Sequence, residues 1–151
     1  MKLFGSILIL SACICACYFY EKREKNKLDS LCIACDFILH IKSQIEYFSL
    51  PLEKIFNSYS NKCEITENLS KNQFKNIQTS FEKDDFRIIC DFFKSLGKGY
   101  KNQEISLCSY TLEELGKNLK KEKAEYPNKI KVFRVMTLFI GFCVIDRKSV
   151  V

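Results

Sequence analysis

The chain has 151 residues, 47% of them hydrophobic, with a formal net charge of +6 and only 5 glycines and 2 prolines. That is the length of one domain, and so little turn-forming material excludes a many-stranded β fold and favours helices. Residues 21–131 carry 20 Lys and Arg interspersed with 17 Asp and Glu, a solvated surface of mixed sign rather than a basic stripe for nucleic acid.

In chain order, Leu3 to Tyr20 comes first: eighteen residues without a charge, close to the ~20 that cross a bilayer as a helix. A transmembrane helix is therefore expected over residues 1–20. Lys22, Arg23, Lys25 and Lys27 follow at once, so the positive-inside rule leaves the next segment in the cytoplasm. The run ends in "CYFYEK" and lacks the small-x-small site of a cleaved signal peptide. "LSAC" at 10–13 resembles a lipobox with Cys13 as the lipidated residue, which sets up an alternative reading as a membrane lipoprotein. Against it, the apolar run continues for seven residues past Cys13, where a lipoprotein carries a polar tether.

Residues 21–131 are expected to form a cytoplasmic helical bundle. Leu28, Leu31, Cys32, Cys35, Ile38, Leu39, Ile41, Ile45 and Phe48 recur at threes and fours, extending the first helix to about residue 48. Pro51 ends it and suits the first turn of a second helix with Leu52, Ile55, Phe56 and Tyr59 on its apolar face. "SNKCEITENLS" at 60–70 reads as a polar turn, and Asn68 or Ser70 as the cap of a short helix carrying Phe74, Ile77 and Phe81. Asp84 or Asp85 reads as the N-cap of a helix with Phe86, Ile89, Cys90, Phe93 and Leu96 buried, closed by Gly97. Ile105, Cys108, Leu112, Leu115, Leu119 and Tyr126 keep heptad-like spacing, broken at Glu122, along a helix over 102–126 of ~37 Å at 1.5 Å per residue. Pro127 is expected to kink or interrupt it.

Residues 132–145 are apolar except for Arg134, and Val135 to Ile145 spans about half a bilayer, a partial second transmembrane helix. Residues 146–151, "DRKSVV", form an atypical tail. The expected fold is all-α, a bundle of about four to six helices counting the membrane spans, with both termini directed at one membrane.

The 9 cysteines are odd in number and irregular in spacing, so free thiols are expected rather than a disulfide scaffold. Cys32 and Cys35 form a CxxC, with a thiol-redox module outside the membrane as its functional reading. With no second pair, no surrounding βαβ pattern and a single histidine, His40, two small apolar residues on one helix face is the plainer reading.

Several motifs together resemble the stage III sporulation protein AB family of endospore-forming bacteria. Lys2 and Gly5 match its opening, Leu28 and Leu31 the leucines after the basic flank. Ile45, Tyr47, Pro51 and Leu52 match its Ile-x-Tyr followed by Pro-Leu; Leu96, Gly97 and Gln103 match a Leu-Gly followed by Gln; Gly141 matches the glycine of the last span. The chain departs from the pattern at Gln44, Leu50, Tyr100 and Pro127. The resemblance implies a membrane component of the channel complex linking mother cell and forespore, on the mother-cell side of the engulfing membrane. It also implies a cytoplasmic domain similar to the platform protein of type II secretion machines. By the same analogy the partners are a cytoplasmic assembly ATPase and other channel membrane proteins of the same operon, with neither nucleic acid nor a small-molecule substrate.

No catalytic, cofactor or metal site is expected. His40 stands alone, Asp84 and Asp85 suit a helix start, Glu113 and Glu114 face solvent, and "GKG" at 97–99 lacks the spacing of a phosphate loop. The expected partner contacts are Tyr47, Pro51 and Leu52 at one corner with Leu96, Gly97 and Gln103 at another, because tight corners hold side chains in fixed positions. The plainer alternative is that these residues only pack the bundle, with Gly97 as a helix C-cap.

Overall fold

The computed structural model describes residues 2–48, 50–60 and 62–149, with the side chains of 2–4, 6 and 144–149 outside the description. Among the described residues the chain is all-helical. The elements are α1 (Lys2–Phe48), α2 (Leu52–Ser58), α3 (Glu64–Ser70), two single 3-10 turns (Phe74–Asn76 and Gln78–Ser80), α4 (Lys83–Ser95) and α5 (Lys101–Ser149). They divide into two compact units: Asn26–Lys121, and the residues up to Lys25 together with Glu122 onward. Helices α1 and α5 contribute to both.

The middle unit folds around an aromatic centre. Leu31, Ala34, Phe37, Ile38, Ile41 and Ile45 of α1 are buried, a helical stripe as expected but rotated. Leu39 and Phe48 are 52% and 65% exposed, and Ala34 and Phe37 take the inner face. Phe37 sits 4.9 Å from Tyr59, 5.8 Å from Phe56 and 5.9 Å from Phe93, ring centre to ring centre, so one side chain joins α1, α2 and α4. Full burial of a Phe contributes roughly 1.5–3 kcal/mol. Cys108 and Leu115 of α5 close the core, with Ile105, Leu112 and Leu119 half-buried against it.

Three expectations for this unit are corrected. Residues 64–70, read as a polar turn, are helix α3. Thr66 Oγ1 accepts the Cys63 N–H at 3.0 Å and donates to the Cys63 carbonyl at 2.9 Å, and Leu69 anchors the helix in the core. The helix expected after it is instead two 3-10 turns. Asn68 gives its amide to the Glu64 carbonyl at 2.8 Å rather than capping the next segment, and Asn72 adopts a left-handed φ of 55°. Lastly, Glu82 rather than Asp84 or Asp85 occupies the N-cap of α4. Asp85 turns inward and accepts from Asn118 Nδ2 at 2.6 Å, a partner on α5 that no local pattern announces.

In the second unit Tyr20 stacks on Phe133 with ring centres 4.0 Å apart and planes 11° from parallel, and Glu21 pairs with Arg134. A Cβ at Gly141 would stand 3.3 Å from Cys13 Sγ. Residue numbers on α1 rise as those on α5 fall, so the two segments pack antiparallel. Their other faces are uncovered: Ile7, Leu8, Ile14, Phe139, Ile140 and Phe142 are each 63–68% exposed. Among the described residues no helix is long and apolar enough to cross a membrane. The expected span at 1–20 includes side chains outside the described set, as do the end of the 132–145 segment and the 146–151 tail. The expected interruption at Pro127 is absent, and α5 runs through it. Proline removes one amide bond, to the carbonyl of residue 123, and both Lys123 and Pro127 are exposed, so solvent reaches the carbonyl left over.

Candidate functional site

The two corners singled out by sequence meet. Pro51, with φ −64° and ψ 144°, caps α2, and its carbonyl accepts the Lys54 and Ile55 amides at 3.0 and 3.2 Å. Proline suits this place because its fixed φ matches and its missing donor is not needed. Leu52 packs half-buried on the core, its Cδ1 only 2.8 Å from where a Cβ on Gly97 would stand. Gly97, just past the end of α4, has φ +85°, a left-handed turn that glycine enters without strain. Leu96 is half-buried beside it.

The connection from α4 to α5 is held from within. Glu104 Oε1 accepts the amides of Gly97 at 3.0 Å and Gly99 at 2.8 Å, and Gln103 Oε1 accepts the Tyr100 amide at 3.0 Å. Gln103 thus bonds back to the residue just before α5, half of a capping box. Glu104 is only 7% exposed, and its Oε2 is buried with no hydrogen-bond partner among the described residues. Sequence reasoning missed this carboxylate. The one available signal was Gln103 three residues after a Gly-rich turn, with its acidic neighbour one step further into the helix.

Outward from this frame stand Tyr47, 75% exposed, Phe48, and Tyr100, 83% exposed. Of the six expected contacts, Leu52, Leu96, Gly97 and Gln103 build the corner, Pro51 sets its angle, and Tyr47 projects from it. Burying these three aromatic rings against a partner is a large gain at small entropic cost, since each has few rotatable bonds.

Elsewhere polar groups are used internally. His40 Nε2 lies 3.1 Å from Ser58 Oγ and its ring meets Tyr59 edge-on at 5.1 Å. A recess of about 220 Å³ beside Phe37, Phe56 and Tyr59 is rimmed by Glu67 and Lys71, which pair at 3.9 Å. Cys13, Cys32 and Cys35 are half-buried. Among the described residues no three His, Cys, Asp or Glu gather closely enough to hold a metal ion. Burial pushes the Cys90 thiol up. Burial, then the nearby Glu104 carboxylate, pushes Cys108 up to about 11. Both are the signature of inert core cysteines.

The chain matches the family model described as stage III sporulation protein AB over residues 2–71 and 66–145, the family that the Ile45, Tyr47, Pro51 and Leu52 motif had suggested. No curated protein and no solved structure matches it.

Proposed function

Because this chain belongs to the stage III sporulation protein AB family, we propose that it is a non-enzymatic, membrane-anchored component of the mother cell–forespore channel complex and acts as an assembly platform. The family match across both halves of the chain carries the reading. Support comes from the uncovered apolar faces of the unit holding the chain ends, since an apolar surface of that extent marks contact with another apolar phase. The basic flank after Tyr20 favours a cytoplasmic middle unit, with the anchor in the cell membrane on the mother-cell side. Like a type II secretion platform, that unit offers a shape to be gripped. Tyr47, Phe48 and Tyr100 form the grip, and a cytoplasmic assembly ATPase with the neighbouring channel membrane proteins are the partners.

Protease added to intact protoplasts should leave residues 21–131 intact, and their digestion would place the domain on the other side. In sporulating cells Tyr47→Ala should preserve helicity and membrane recovery while lowering co-recovery of the ATPase and the yield of spores. Normal spore yield from that variant would refute the role given to the corner.

A further inference from the structure

The unit formed by the two chain ends carries more positive charge than its internal pairs consume, and the excess is placed at one level. Among the described side chains its acids are occupied. Glu21 pairs with Arg134, Glu122 and Glu125 pair with Lys129 at 3.3 and 3.6 Å, and Glu24 also acts on Lys129. Lys22, Arg23, Lys25 and Lys131 are exposed and make no ion pair among the described residues. The Tyr20–Phe133 stack sets the level at which the apolar faces end. Measured from it at 1.5 Å per residue, Lys22, Arg23 and Lys131 lie within about 5 Å and Lys25 within about 8 Å along the helices. Lys123, also exposed, lies about 15 Å away.

We infer that these four cations form a collar that binds anionic phospholipid headgroups, so that the anchor prefers lipid of negative charge to neutral lipid. The inference rests on the membrane reading of the apolar ends. Its occupant follows from charge and position together: a row of cations directly above an uncovered apolar face meets headgroup phosphates once that face enters acyl chains, at several-fold in affinity per cation. Four cations on two antiparallel helices surround the anchor rather than mark one side of it. Lys123 supplies the contrast, because ~15 Å exceeds the Debye length of about 10 Å at 0.1 M salt.

The test uses the full chain reconstituted in vesicles containing spin-labelled phosphatidylglycerol or phosphatidylcholine, reading the share of each lipid that the protein immobilises. The expected selectivity for phosphatidylglycerol is about fivefold or more at 0.1 M salt. It should fall to near one in 1 M salt and in the combined variant Lys22→Gln, Arg23→Gln, Lys25→Gln, Lys131→Gln, and persist in Lys123→Gln. Equal immobilisation of both lipids by the unaltered chain overturns the collar and leaves the anchor standing. Selectivity unchanged in the combined variant also overturns the collar. Absence of any immobilised lipid overturns the membrane reading and the collar with it.

Discussion

Replacing Gly97 by alanine probes the meeting of the two corners. At φ +85° an L-residue is disfavoured by about 1–2 kcal/mol. The new Cβ would lie 2.8 Å from Leu52 Cδ1, and since Leu52 packs on the core, its displacement adds about 0.5–1.5 kcal/mol of rotamer strain. Alanine restricts the unfolded chain and returns about 0.4–1 kcal/mol. The net loss is then about 0.5–3 kcal/mol, read from urea unfolding of the full chain in mild detergent by circular dichroism. Repeating Gly97→Ala in a Leu52→Ala background should remove the rotamer part and keep the backbone part, a coupling of about 0.5–1.5 kcal/mol. An alanine variant as stable as the parent would refute the left-handed corner. A loss independent of Leu52 would refute the contact.

Glu104→Ala should cost about 1–3 kcal/mol by stranding the amides of Gly97 and Gly99, whereas Glu104→Gln, which keeps an acceptor at Oε1, should retain most of the stability in the same urea assay. Cys108 ionises near 9.0 when unfolded and at about 11 when buried. The native state therefore holds its proton longer, and this contribution to stability is fully present below pH 9 and lost as pH rises through 11. The decline in unfolding midpoint over that range should be shallower in Cys108→Ala. Thiol labelling of the parent at pH 8 should leave Cys108 unmodified until the chain unfolds.

Much of the fold was legible because helices advertise themselves in periodicity. The end of α1 at Phe48, the Pro51 corner and the Gly97 stop all follow from local rules about apolar spacing, a missing amide and a positive φ. The illegible part depended on partners distant in sequence. Asp85 looks like a helix cap until Asn118 is placed beside it, and Leu39 fits the helical period as well as Phe37 does until Phe56, Tyr59 and Phe93 define the inner side. Pro127 does not break its helix because the cost of proline falls where the orphaned carbonyl faces solvent. At the corner, sequence identified the residues that bend the chain, yet Glu104, which fastens the connection, and Tyr100, which stands out from it, emerge only when α4 and α5 are set side by side.

The corner as a gripping surface is tested most directly by a photo-reactive benzoyl-phenylalanine at position 47 in sporulating cells, with position 110 as the control, since Tyr110 is also exposed at 65% but belongs to neither corner. An ultraviolet-dependent adduct with the assembly ATPase from position 47 and none from 110 is the expected result. No adduct from 47, or equal adducts from both positions, would contradict it.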